Sequence, residues 1–531
     1  MIELLPTKAT FAPGEPVEVE VRGADGPTTV SLWQLARQVD EVVVPASVRL
    51  ASFGPLPDGG YGVEVDGLAR TALDVQGRPM RRLRYGFVSD FVAGRAVEAV
   101  ADNVRRLHLN AVQFYDWMYR HARLLPPADE FRDALGRDVS LDTVRRLVRA
   151  VREAGSHPLG YAAVYAVGAE DRAAWADEAL CHADGSWWML ADFLWIVDPS
   201  SDRWLSHLTA ELVAAQSAVG FDGFHLDQYG APKRATRRDG TVVDLADAFP
   251  ALIERVRAAL PDAVLVFNNV NDFPTWATAA APQDAVYVEV WPPHDRLEHL
   301  AGLVENAKVG KPVVLAAYLS SYRRGEVAAM ELELATVFSH GGTCLLHGEE
   351  DAILVDPYYV EHVRMDTAAV DATRALYDFS VRYGDLLFDP EFVDATRSHV
   401  GGVNKEISVE APVPVATDAI AGTLWTRALV SDTRRVVSLI DLSAQEGTEW
   451  DAPRLREKAC EGTVVSFERA GSTPRIYVAS PAAPRALELE ATLVDGRDVV
   501  RLPPWVTWAL VWADPSETVV AAGDRRARYR S

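Results

Sequence analysis

Between residues 84 and 383 short apolar runs alternate with stretches of helical period, and this alternation constrains the fold more than anything else in the chain. The runs 85–89, 111–115, 159–165, 223–227, 264–268, 285–289, 313–317 and 343–346 read as strands bounded by turn residues. The stretches 96–107, 141–153, 202–219, 245–260, 297–307, 326–338 and 358–377 read as helices between or after them. Gly155 and Gly220 stand where two of these helices should stop. Eight strands over about 300 residues is what an α/β chain needs for a (β/α)8 TIM barrel. An open doubly wound sheet is the alternative, weakened because no Gly-x-Gly-x-x-Gly follows a strand.

The flanks read differently. Residues 1–80 carry Val17-Glu-Val-Glu-Val21 at period two, with further short runs between Gly, Asp and Pro clusters, and predict an immunoglobulin-like β-sandwich. Residues 385–531 return to alternating runs and predict an antiparallel β-sandwich, leaving 81–384 for the barrel. A net charge of −23 speaks against a nucleic-acid partner, and no apolar run is long enough for a membrane helix. Three cysteines far apart fit reduced thiols, with no metal-type spacing, so neither metal nor cofactor is expected. The N-terminal residues lack a basic and an apolar region of secretory type, and the expected location is cytoplasmic, as a monomer or small homo-oligomer.

The candidate chemistry starts at Gly220-Phe-Asp-Gly-Phe-His-Leu-Asp-Gln-Tyr-Gly230. Along a strand, Gly223, His225 and Asp227 share one face and Phe224 and Leu226 the other. Asp227 thus ends a strand at the mouth, where barrels place their chemistry, unless it only caps the next element or pairs with a base. Two strands on, Val286-Tyr-Val-Glu-Val-Trp291 puts Glu289 at the same level, flanked by Tyr287 and Trp291, which would raise its pKa. Two carboxylates in one mouth are the minimum apparatus for glycoside hydrolysis.

Further mouth candidates surround them. Asp116, Trp117, Arg120 and His121 follow the second strand, where Asp116 and Arg120 either grip hydroxyls or pair with each other. Tyr165, Asp198, Gln228, Asn268 and Tyr318 lie at or just after strand ends, although Asp198 also reads as a helix-start signal. The insertion 168–198 carries Trp175, Trp187, Trp188 and Trp195, which either offer flat faces to sugar rings or hold the loop together. A metal-dependent hydrolase using His225 and Asp227 is an alternative, and so is a sugar-binding protein without catalysis.

The blocks 110–121, Gly160-Tyr-Ala-Ala-Val-Tyr165, 220–230 and Tyr287-Val-Glu-Val-Trp291 together resemble glycoside hydrolase family 66, which contains dextranases and cycloisomaltooligosaccharide glucanotransferases. The resemblance implies that Asp227 is the nucleophile, Glu289 the acid/base and Asp116 a further essential acid. It implies a retaining enzyme acting on α-1,6-glucosidic bonds of a glucan or oligosaccharide. Cyclising members carry a module inserted in the barrel, for which the strand spacing leaves no room, so hydrolysis is expected over cyclisation. Isomalto-oligosaccharides, linear or cyclic, are the expected substrates, ahead of dextran.

Overall fold

The computed structural model describes residues 2–514 apart from 79, 326, 455–457, 470 and 472. Eight parallel strands form one sheet in chain order: β1 (Tyr85–Val88), β2 (Ala111–Phe114), β3 (His157–Ala163), β4 (Gly223–Asp227), β5 (Val264–Asn268), β6 (Ala285–Glu289), β7 (Val313–Ala316) and β8 (Thr343–Cys344). The sheet closes just beyond β8, where the Phe87 N–H donates to the His347 carbonyl at 3.3 Å. Gly348 follows at this seam, and a Cβ there would stand 2.1 Å from the Phe87 oxygen. Only glycine lets the two backbones meet. The chain is therefore a (β/α)8 barrel with antiparallel sheets on either side of it in sequence.

One helix follows each strand: α1 (Glu98–Arg106), α2 (Leu141–Glu153), α3 (Asp202–Val219), α4 (Leu245–Ala259), α5 (Thr275–Thr278), α6 (Leu297–Ala307), α7 (Val327–Ser339) and α8 (Thr367–Arg382). Local chemistry sets their ends. Ser140 and Ser201 cap α2 and α3 by accepting from the Thr143 and Trp204 N–H groups, and Gly220 ends α3 in the left-handed region at φ 91°. The inward stripe of α2 is Leu141, Val144, Leu147, Val148 and Val151, spaced to bury one face.

Two helices differ from expectation. The fifth is a single turn that the sequence pattern does not signal. The eighth begins at Thr367, not 358, because Asp366 caps it by accepting from the Ala369 N–H at 2.8 Å. This frees Tyr358 and Tyr359, the latter in a short 3-10 turn, for the barrel mouth. Glu326, where the seventh helix was expected to start, lies outside the described residues.

Residues Met1–Phe388 and Glu449–Arg454 form one compact unit, and Asp389–Thr448 with Leu455–Ser531 a second. In the first unit the strands Glu3–Pro6, Pro16–Arg22 and Leu50–Pro55 form one sheet. Arg37–Val44, Thr28–Gln34, Gly59–Val65 and Ala69–Val75 form the other, in immunoglobulin-like order. Val17, Val19 and Val21 are buried between the sheets, as their period requires. In the second unit the alternating run 487–494, which reads as one strand, is two strands. Leu487–Leu489 pairs with Arg475–Ala479, while Thr492–Val494 pairs with Arg497–Arg501 in the other sheet. The apolar alternation runs on across the crossing and so hides it.

A buried ion cluster joins the last N-terminal strand to the start of the barrel. Asp74, with a fully buried side chain, accepts from Arg82 Nε at 3.0 Å, Arg84 Nη2 at 2.5 Å and Gln76 Nε2 at 2.6 Å. Arg84 also donates to the His108 carbonyl at 2.6 Å, fixing the chain that enters β2. Burial alone would raise the Asp74 pKa, but the two guanidiniums outweigh it and hold the carboxyl below its usual value. Asp74→Ala would strand Arg84 as a buried cation, while Arg82 keeps Asp58 and Asp385, and should destabilise the unit by about 3–5 kcal/mol. Denaturant unfolding followed by fluorescence checks this; a loss under about 1 kcal/mol, typical of an exposed pair, would contradict it.

Candidate active site

Parallel pairing puts Leu226 of β4 beside Phe267 of β5, so Asp227 stands beside Asn268 at the strand ends. Asn268 in turn is level with Tyr287 of β6, which lifts Glu289 higher in the mouth. This stagger, a property of closed barrels, brings both carboxylates to one amide. Asn268 Nδ2 lies 2.7 Å from Asp227 Oδ1 and 3.1 Å from Glu289 Oε2. Those two oxygens are therefore no further apart than the sum of these lengths.

Each carboxylate has its own hydroxyl as well. Tyr161 donates to Asp227 Oδ2 at 2.7 Å, and Tyr318 donates to Glu289 Oε1 at 2.8 Å. Burial raises the pKa of both acids, and the Glu289 charge adds to the rise at Asp227. Two buried carboxylates this close hold on to a proton between them near neutrality and titrate as a pair. Burial also pushes the phenols of Tyr161 and Tyr318 well above their ordinary range, so they act as donors.

Below this level the lumen is filled by side chains from alternate positions. His225 meets Tyr85 through Nδ1 at 3.0 Å and stands edge-on to Tyr287. Burial lowers its pKa to about 3, which keeps it neutral. Gln113, from β2, also faces the lumen, and its buried Oε1 has no hydrogen-bond partner among the described residues.

The carboxylates open into a cavity of about 480 Å³ whose wall includes Tyr115, Tyr161, Gln228, Tyr229, Trp291 and Tyr359. A second cavity of about 520 Å³ shares Tyr115, Tyr161, Leu190 and Tyr229 with it and extends to Asp116, His121, Phe193 and Tyr358. Asp116 has a left-handed backbone, φ 52°, at the end of β2. Arg137 donates to its carbonyl at 3.1 Å and stands 3.7 Å from its carboxylate. Burial raises the Asp116 pKa to about 7, against Arg137 and with Asp133. His121 is buried, its Nδ1 has no hydrogen-bond partner among the described residues, and burial lowers its pKa to about 4.

Not every expected residue reaches the cleft. Arg120 pairs with Glu170 and lines neither cavity, so it fills neither of its two expected roles, gripping hydroxyls or pairing with Asp116, which stands by Arg137. Trp117 is buried with its Nε1 donating to the Tyr161 carbonyl, packed edge-on against Phe221. Asp198 is buried in an ion pair with Arg237 and accepts from Ser200, away from both cavities. Tyr165 lies behind Tyr229, stacked on its ring and bonded to the Ala231 carbonyl. The strand stops at Ala163, so Tyr161 takes the place at Asp227 that period two also offered to Tyr165.

The tryptophans of the 168–198 insertion hold the loop and do not line the cleft. Trp175 packs on Trp204 and His207, Trp187 donates to the Ile196 carbonyl, Trp188 stacks on His182 and Trp195 lies under Arg172. The same loop reaches the cleft with Leu190, Phe193 and Leu194 instead. Tyr161, Tyr229, Tyr359, Asp133 and Arg137 were not foreseen. Period two along β3 offers Tyr161 the same face as Tyr165, and the blocks 160–165 and 220–230 contain Tyr161 and Tyr229 without singling them out.

Residues 6–510 match Glycosyl hydrolase family 66. Two curated cycloisomaltooligosaccharide glucanotransferases from Niallia circulans are 27% identical over 371 residues and 26% identical over 375. Each alignment covers 59% of this chain but only 37% and 38% of the relative, so the chain spans well under half the length of these proteins. Among solved structures, a Paenibacillus sp. cycloisomaltooligosaccharide glucanotransferase complexed with cycloisomaltoheptaose superposes with TM-score 0.86. That superposition covers 96% of this chain and 100% of that one at 18% identity. An α-amylase from Geobacillus thermoleovorans complexed with acarbose gives TM-score 0.54 at 9% identity, over 83% of this chain and 100% of that one. Structural likeness at these identities bears on the fold alone; it is the match along nearly the whole sequence that places the chain in glycosyl hydrolase family 66.

Proposed function

We propose that this protein is a retaining glycoside hydrolase that cleaves α-1,6-glucosidic bonds in isomalto-oligosaccharides, linear or cyclic, or in dextran. The observation that carries this reading is the single Asn268 amide reaching both Asp227 and Glu289. Two oxygens held by one N–H donor group fall short of the ~6.5–9.5 Å an inverting pair needs to seat its water. They leave room for a sugar carbon on one side and its leaving oxygen on the other.

In the first step the Asp227 carboxylate attacks the anomeric carbon while Glu289 gives its proton to the departing glycosidic oxygen. In the second, Glu289 takes a proton from water, whose oxygen attacks the same carbon and frees Asp227. Asp227 is assigned the charge because it accepts two hydrogen bonds of 2.7 Å, from Asn268 and Tyr161. Burial keeps the proton on Glu289, whereas the exposed Trp291, expected to raise its pKa, lowers it with Asn268 and Tyr318 by hydrogen bonding. Asp116 and His121, in the adjoining cavity, are placed to bond sugar hydroxyls away from the scissile bond. The names of the Niallia circulans and Paenibacillus sp. proteins support an isomalto-type substrate, and they also favour a second reading, in which a sugar hydroxyl of the same chain replaces water and the product is cyclic.

The roles separate by substitution. Glu289→Ala should lose activity on poor leaving groups by orders of magnitude, keep much of it on an activated aryl glycoside, and regain rate with azide. Asp227→Ala should be inactive on both. Equal losses without azide rescue would contradict the assignment.

A product profile separates the two readings. With isomalto-oligosaccharides, the enzyme should release linear reducing sugars that retain the α-anomer at first appearance by NMR. Cyclic products in the majority would establish transglycosylation, and the β-anomer would overturn retention.

A further inference from the structure

Tyr318, expected from the sequence to touch substrate, points its hydroxyl at Glu289. Behind it the Tyr359 hydroxyl lies 3.4 Å from that of Tyr318 and 3.0 Å from that of Tyr287. The three phenols come from different places in the chain: Tyr287 from β6, Tyr318 from just past β7, and Tyr359 from the loop after β8. All three are buried. Tyr359 is held further by stacking on Tyr115 at 4.2 Å between ring centroids.

We propose that this file of hydroxyls, Tyr287–Tyr359–Tyr318, tunes the proton affinity of Glu289, with Tyr318 and Tyr359 as positioning residues for it and not as sugar contacts. The inference rests on Glu289 being the acid/base. Each phenol carries one proton. When Glu289 is ionised, Tyr318 donates its hydrogen bond to the carboxylate, and Tyr359 can turn its own O–H toward the Tyr318 oxygen. When Glu289 is protonated the file is free to turn the other way. Hydrogen bonds in such chains strengthen one another in a low-dielectric site. An acid that must act as base in the next step is served by donors that reorient without moving a heavy atom.

The surroundings make these bonds count. The groups facing Glu289 are Asp227 from β4, Asn268 from β5, Tyr287 and Trp291 from its own strand and its end, Tyr318, Tyr359, and Tyr115 from β2. Among the described residues no lysine or arginine lines this cavity. The carboxylate charge is therefore stabilised by neutral donors alone, and losing one moves the balance. Burial keeps the phenols protonated throughout the working range of pH.

The test is the pH dependence of kcat/KM for Tyr318→Phe, Tyr359→Phe and the unaltered protein. Removing a donor to a carboxylate raises its pKa, and kcat/KM falls as the general acid ionises, so the alkaline limb should move to higher pH. Tyr318→Phe should shift it by about half a unit or more, the equivalent of one neutral hydrogen bond. Tyr359→Phe should shift it less and in the same direction, with KM nearly constant. An unmoved alkaline limb in folded Tyr318→Phe, with KM raised instead, overturns the proposal by making Tyr318 a sugar contact. Should Tyr318→Phe not fold, Tyr359→Phe decides alone: an upward shift supports the file, and none removes it. Azide rescue of Glu289→Ala is read alongside. If rescue fails, the acid/base reading itself falls; if it succeeds and the limbs do not move, only the hydroxyl file falls.

Discussion

One amide governs the site. Asn268 stands between two carboxylates that burial has made reluctant to ionise, and its Nδ2 is within hydrogen-bond reach of both. Without a donor there, two buried acids at this spacing would repel and turn away or stay protonated. With it, the pair can hold one charge and one proton side by side, the arrangement the proposed double displacement requires. The tyrosines are secondary to this, each serving one acid.

The amide can do this only because the barrel is closed and staggered. Parallel register sets Asn268 beside Asp227 but lifts Glu289 on the next strand, and a sheet with β1 and β8 apart would lose the stagger. The contact at Gly348 and the buried Asp74–Arg82–Arg84 cluster therefore bear on the chemistry from a distance. They hold the ends of the chain entering and leaving the barrel, and the precision of the mouth follows from them.

The strands that carry the acids were legible almost to the residue, because a buried parallel strand leaves an unbroken apolar run between turn residues. Strands 223–227, 264–268 and 285–289 ended where expected, and their alternation correctly aimed Asp227 and Glu289. What remained hidden has physical causes. Tyr359 reaches the mouth from a loop that reads as helix until Asp366 is recognised as the cap. Arg137 reaches Asp116 from the turn of the hairpin formed by Glu130–Arg132 and Asp138–Ser140, too short to leave a pattern. Of the two roles open to the four tryptophans, holding the loop prevails, because large apolar rings in a long insertion first satisfy one another. Helix α5, a single turn, leaves no periodic signal at all.

The central claim is that Asp227 forms the covalent bond to the sugar. It is tested most directly by trapping the intermediate with a fluorinated α-glucosyl fluoride, whose good leaving group allows the first step and whose ring fluorine slows the second. Peptide mass spectrometry of the inactivated enzyme should find one sugar attached to the peptide containing Asp227, and none when isomalto-oligosaccharide is present in excess. A sugar on Glu289 or Asp116, or turnover of substrate with no adduct under any trapping condition, would contradict the account.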